Sequence, residues 1–251
     1  MIHQRILILA SVGSLVLAAG AGAARAAGSG STAAASAGPA HRVRLSDERT
    51  LSRWAYPETR GSVYTRPSSR APRIQRLRWL TEDHLPELYL VLAQWADPSG
   101  DEWVQIRLPR RPNGTKGWVH RSELRQFSVV RTLIVVNRRT LRLTLYRAGR
   151  RVLQVPVGVG KASTPTPAGH FWIREKFRVR GAPVYGPYAL GTSAYAPHLT
   201  DWPGGGVVGL HGTDQPGLIP GRPSHGCIRL RNSDIARLYR LVPRGTPLHI
   251  I

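Results

Sequence analysis

The chain has 251 residues, 41% of them hydrophobic, with 26 Gly and 20 Pro, a single Cys and a formal net charge of +22. That composition excludes a disordered chain and points to a loop-rich, mostly β globular protein. One thiol excludes an intramolecular disulfide, and the charge calls for contact with polyanions without choosing among nucleic acid, anionic lipid and anionic envelope polymers.

In chain order, residues 1–26 carry Arg5, an apolar stretch from Ile6 to about Ala19, and a small-residue site at Ala24-Arg25-Ala26. This is the three-part pattern of a secretory signal peptide. The apolar stretch is short for a membrane span, so the membrane is a partner only through an uncleaved leader. Export to the periplasm or cell wall follows, and it argues against nucleic acid as a partner. Residues 27–41, "AGSGSTAAASAGPAH", read as a flexible linker.

Residues 42–126 read as short strands between turns. Asp97-Pro98-Ser99-Gly100 and Asn113-Gly114 are turn signals. Trp103, Val104, Ile106, Leu108, Trp118 and Val119 would fill a small barrel core. The segment "GDEWVQIRLPRRPNGTKGWVHRSEL" resembles a bacterial Src-homology-3-like domain.

A second unit, residues 127–251, is expected to be mostly β. "TLIVV" is continuously apolar, so both its faces should be buried. In "LRLTLYRAG" Leu141, Leu143 and Leu145 share a side, and a hairpin follows at "AGR". A long Pro/Gly/Tyr-rich loop is expected from about Arg180 to Gly206. One helix is predicted, capped by Asn232 or Ser233, with Ile235, Leu238, Tyr239 and Val242 at helical spacing, and Pro243 and Gly245 as its stop. "TPLHII" closes the unit as a strand.

The lone Cys227 sits in "GRPSHGCIRL" just before that helix. A thiol reacts as thiolate, which needs a base or a positive field nearby. His211 and His225 are both candidate bases. Gly226 lets backbone approach a ligand, and adjacent N–H groups there suit a developing oxyanion. Arg222, Arg229 and Arg231 crowd the thiol in sequence and would favour its ionised form. These residues fit Cys–His acyl transfer; a lone Cys is more often an inert buried residue. Zinc on His211, His225 and Cys227 lacks a CxxC or HxxxH pairing, so no metal is expected. "GVGKAS" is not a phosphate loop, because Val155 stands where its first Gly should be. A base sixteen residues before the nucleophile does not fit a papain-like layout.

"HGTDQPGLIPGRPSHGCIRLRNSDIARLYRLVPRGTPLHI" resembles the active-site signature of the L,D-transpeptidases, the YkuD-type catalytic domain. The match rests on His211-Gly212 and on Ser224-His225-Gly226-Cys227-Ile228-Arg229. "STPTPAGHFWI" and "GPYALGTSAYAPH" are also similar to that family. The resemblance covers roughly residues 130–251 and implies a β-sandwich-like fold with one main helix after the nucleophile. It implies that Cys227 attacks the L–D bond of a peptidoglycan tetrapeptide stem, releasing D-Ala and leaving a thioester for an acceptor amine. His211 would be the base, oriented by its own carbonyl or that of Gly212. The N–H groups of His225, Gly226 and Cys227 would form the oxyanion hole. Arg229 would meet the donor's carboxylate or brace the loop, Ser224 would hold the loop, and Tyr185, Tyr188 and Tyr195 would form a lid. No cofactor is implied. The partners are stem peptides and, through the basic charge, anionic envelope polymers. An L,D-carboxypeptidase, with water as acceptor, and a non-catalytic wall-binding protein are the alternative readings.

Overall fold

The computed structural model describes residues 41–97, 99–200 and 205–251. The expected leader and linker lie outside the described residues, except His41, which opens the first strand. The described residues belong to one compact unit, 37–251, built on two sheets.

The first sheet contains β1 (His41–Arg44), β2 (Ser52–Ala55), β3 (Ser62–Tyr64), β4 (Arg73–Arg76), β5 (Tyr89–Ala96), β6 (Glu102–Arg107), β7 (Lys116–His120) and β8 (Ser128–Val130). Its order is β4-β3-β7-β6-β5-β2-β8, with β1 also on β5. The six residues expected to fill its core are all buried, and Val63, Val91 and Leu124 join them. The sheet extends past the expected boundary at 126, because β8 pairs antiparallel with β2, Ser52 opposite Val130.

The second sheet contains β9 (Thr132–Asn137), β10 (Arg142–Arg147), β11 (Arg150–Pro156), β12 (Gly158–Gly160), β13 (Gly169–Arg178), β14 (Tyr188–Tyr195), β15 (Val207–His211), β16 (Gly221–Ser224), β17 (Ile228–Arg229) and β18 (Pro247–Ile250), in the order β11-β10-β9-β18-β13-β14-β15-β17-β12-β16. The continuously apolar β9 lies inside the sheet, antiparallel to β10 and parallel to β18. Leu143 and Leu145 of β10 are fully buried, whereas Leu141 precedes the strand at φ 53°. Ala148 and Gly149 both have positive φ, the backbone a two-residue hairpin turn requires.

Two expectations are corrected. The region 180–206 is not one long loop: Tyr188–Tyr195 is a strand paired with both β13 and β15. Its small residues hid it, since "ALGTSA" offers little hydrophobic alternation. They are small for a reason; a Cβ on Gly191 would lie 2.3 Å from a Glu175 carboxylate oxygen. The one α-helix among the described residues, α1 (Asn232–Leu241), has Arg231 at its N-cap and no side-chain cap. Asn232 instead turns its side chain to the loop after His211. Ile235, Leu238 and the following Val242 are buried in the second core as expected.

The two sheets share buried contacts. Trp172 of β13 packs with Leu88, Leu90 and Leu92, and its indole N–H donates to Leu88 O at 3.1 Å. Fully buried Arg174 donates to Glu87 at 2.8 Å and to Glu82 at 2.9 Å. From the β6–β7 loop, Arg111 donates to the carbonyls of Ala196, Leu199 and Gly205. Asn113 exchanges two hydrogen bonds with the backbone of Tyr195, at 2.8 and 3.0 Å.

Candidate active site

The site grows from the parallel pairing of β15 with β17, which sets Leu210 opposite Ile228 and His211 opposite Arg229. Leu210 and Ile228 point into the core, both fully buried. Side chains alternate along a strand, so His211 and Arg229 face the other way, and Cys227, two residues before Arg229, comes to their side. All three line one cavity of about 260 Å³, together with Tyr185, Leu199, Ser224, His225 and Gly226. The thiol and an imidazole from earlier in the chain thus line one space.

The loop carrying the thiol is tied down at Ser224, Gly226 and Cys227. Ser224 Oγ donates to Cys227 O at 2.6 Å and accepts from Gly226 N–H at 3.1 Å. Thr166 Oγ1 accepts from Gly160 N–H at 2.9 Å and donates to Gly226 O at 2.8 Å. Gly226 sits at φ +130°, where a side chain would be strained.

His211 is buried, and its Nδ1 lies 2.6 Å from Gly212 O. A carbonyl only accepts, so Nδ1 carries the proton and Nε2 of the neutral ring is left as an acceptor. The edge-on ring of Tyr185 packs against the imidazole, with centroids 5.0 Å apart. Gly212 is confined: a Cβ there would lie 2.3 Å from Asn232 Oδ1 and 2.9 Å from Gly186 Cα. Asn232 Oδ1 accepts from Thr213 N–H at 2.9 Å and so fixes the turn that holds the Gly212 carbonyl.

Burial dominates the electrostatics. It pushes His211 down to about 4; the Gly212 carbonyl opposes this and Arg229 adds to it. Burial likewise pushes the Cys227 thiol up, against the weaker pull of the Gly209 N–H, 3.4 Å from Sγ, and of Arg229. The resting pair at neutral pH is therefore a thiol and a neutral imidazole. The expectation that three arginines would ionise the thiol is corrected. Only Arg229 lines the cavity; Arg222 is exposed on Arg138 O, and Arg231 turns to Ile219 O.

Other expected residues are redistributed. Gly226 N–H is engaged by Ser224, so it is not an open oxyanion donor here. His225 is exposed at the cavity wall. Of the three lid tyrosines only Tyr185 lines the cavity. Tyr188 stacks on Tyr239 at 4.5 Å. Tyr195 is buried toward the first sheet, its hydroxyl on Glu82 and on Pro109 O. Both belong to β14, which holds them in the sheet. Thr166 and Asn232 escaped the sequence reading as site residues, because no spacing rule marks a hydroxyl or amide that acts through distant backbone.

Comparison with known proteins finds relatives of the second half of the chain. A family model described as the YkuD L,D-transpeptidase catalytic domain matches residues 131–250. A Bacillus licheniformis protein named as the L,D-transpeptidase YkuD is 38% identical over 48% of this chain and 64% of its own length. A Salmonella typhimurium protein named as the L,D-transpeptidase ErfK/SrfK is 36% identical over 49% of this chain and 45% of its own length. The chain thus spans between about half and two thirds of these relatives. A crystal structure of an Enterococcus faecium L,D-transpeptidase mutant aligns at 29% identity over 48% of this chain and 49% of that one, with a TM-score of 0.38.

Proposed function

Residues 131–250 are an L,D-transpeptidase catalytic domain of the YkuD type, and from that premise we propose that the chain is a cysteine-dependent acyltransferase acting on peptidoglycan tetrapeptide stems. Cys227 Sγ attacks the carbonyl of the L–D bond while His211 Nε2 takes the thiol proton. The tetrahedral oxyanion is received by the backbone around the nucleophile, with Cys227 N–H as a donor and Ser224 and Thr166 holding that backbone in place. The intermediate collapses to a thioester as the imidazolium returns the proton to the leaving D-Ala amine. An acceptor amine then attacks the thioester, His211 takes its proton, and the thiol is regenerated with a new amide bond. Gly212 O orients the imidazole and favours the imidazolium as it forms.

One observation carries this reading: His211 and Cys227 face a single cavity from paired strands, with the imidazole tautomer fixed by Gly212. Arg229, whose buried Nε has no partner, receives the stem's carboxylate. Residues 42–126 form a Src-homology-3-like module that packs on the catalytic domain and shapes the cavity rim through Arg111 and Asn113. Residues 1–26 export the chain to the periplasm or cell wall; among the described residues no helix is long and apolar enough to cross a membrane.

The test is product analysis with a disaccharide-tetrapeptide. The expected products are free D-Ala and a crosslinked dimer, neither formed by Cys227→Ala. D-Ala with tripeptide and no dimer would make the enzyme a carboxypeptidase. No turnover, with sacculus binding retained, would overturn the enzymatic reading.

A further inference from the structure

A second cluster of chemistry-bearing side chains lies away from the catalytic cavity, where the two sheets meet. His170 of β13 and His249 of β18 stand directly opposite one another in an antiparallel pair. Their neighbours Phe171, Leu248 and Ile250 are buried in the core, so strand alternation puts both imidazoles on the other face. The rings lie 4.1 Å apart, tilted by 33°. Glu48 reaches them from the β1–β2 connection. Its backbone is held at φ 56° in a turn whose next three N–H groups, Arg49, Thr50 and Leu51, all donate to Asp47 Oδ1. One donor atom from each of Glu48, His170 and His249 lies within 4.8 Å of the others.

We propose that Glu48, His170 and His249 bind a divalent transition-metal ion of the zinc, nickel or copper class, which ties the first sheet to the second. His249 Nε2 is buried without a hydrogen-bond partner, a costly condition that a ligand relieves. Metal–nitrogen and metal–oxygen bonds near 2 Å require donors about 3.3 Å apart, so the side chains draw in by roughly 1 Å on loading, and solvent fills the fourth position. Exposed His170 gives the ion its entry.

Glu48 also accepts a two-pronged bond from Arg107, at 2.6 and 2.9 Å. Each carboxylate oxygen keeps a second lone pair for a metal, and the arginine holds the group ionised and aimed, as outer-shell partners of metal ligands do. Apart from Glu48, the charges that act most strongly on the histidines are Arg49, Lys116 and Arg107, all positive. They decide the class of ion. Calcium and magnesium rely on several oxygen ligands and negative charge, which this site lacks. Ions that bond strongly to imidazole nitrogen tolerate the positive surroundings better.

The experiment is a calorimetric titration of the full chain with zinc chloride and with nickel chloride. It uses a Cys227→Ser background, so that the catalytic thiol does not compete for metal, and thermal melting is followed alongside. One ion per chain and a raised Tm are expected. His170→Ala and His249→Ala should each weaken binding at least about tenfold with unchanged Tm in chelator, which shows that both variants fold. Calcium and magnesium should give neither heat nor a Tm shift. Absence of binding at millimolar zinc, or equal affinity in the parent and in a His170→Ala/His249→Ala double variant, would overturn the proposal. Catalytic turnover does not enter this readout.

Discussion

At the residue scale the pairing of His211 with Cys227 turns on burial more than on charge. A buried imidazole at about 4 is an unprotonated base over the whole neutral range. The rate of Cys227 acylation should therefore rise with pH through about 4 and be flat from there to neutrality, measured as kcat/KM against pH. An acid limb near the ordinary histidine value of about 6.5 would mean that His211 is not the base or is not buried during reaction. Gly212→Ala should lower kcat by at least tenfold with the fold retained, since its Cβ would collide with Asn232 and Gly186 and displace the carbonyl that orients the ring; single-turnover acylation and circular dichroism together check this. Cys227, His211 and Ser224 were legible because the chemistry of each is announced by its type and its place in a short motif. Thr166 and Asn232 act through contacts made only once β12 and α1 are assembled, and no local pattern foretells them; Tyr185 was expected at the site as a lid residue, but its edge contact with His211 was not.

At the scale of elements, the β6–β7 loop grips the far end of β14 and the segment after it. Arg111 binds three carbonyls there, and its guanidinium stacks on Tyr195 at 4.8 Å. That segment supplies Ala196, Leu199 and Gly206 to the cavity wall. Arg111→Ala should raise KM for the tetrapeptide several-fold and change kcat little, because the rim loosens while His211, Cys227 and the Ser224 loop stay in place; steady-state kinetics reads the split. Strands β5, β6 and β10 were readable since each buries a face of apolar residues, and β9 because its apolar run is continuous. β14 was not, because its burial is achieved with Ala, Gly, Ser and Thr, which composition rules assign to loops. The helix was readable from its apolar spacing, but its start was misassigned: Asn232 is a good cap by type and is recruited by Thr213 instead.

At the scale of the whole molecule, the buried ion pairs between Arg174 and Glu82 and Glu87 join the sheets. Removing one partner of such a pair leaves a charge uncompensated, so Arg174→Met should cost about 3–5 kcal/mol of unfolding free energy, read by urea denaturation. Beside it, burial pushes Glu175 up to about 7. A carboxyl whose folded value is raised binds more protons folded than unfolded, so its contribution is lost as pH rises from about 4.5 to about 7. Glu175→Gln should thus raise Tm at pH 8 and change it little at pH 5. Buried His211 and His249 act in the opposite sense: the unfolded chain binds more protons between about 4 and 6.5, and stability grows with pH across that window. The net charge of +22 was legible at once, but its arrangement was not, since the ion pairs that cross between sheets join residues about ninety positions apart. The most direct measurement of the central claim is intact-mass spectrometry of the protein after exposure to a tetrapeptide stem, with His211→Ala and Cys227→Ala in parallel. The account expects an acyl adduct on Cys227, absent in Cys227→Ala and formed about 10²–10⁴-fold more slowly in His211→Ala. An adduct that survives in Cys227→Ala, or that forms equally fast without the imidazole, would contradict it.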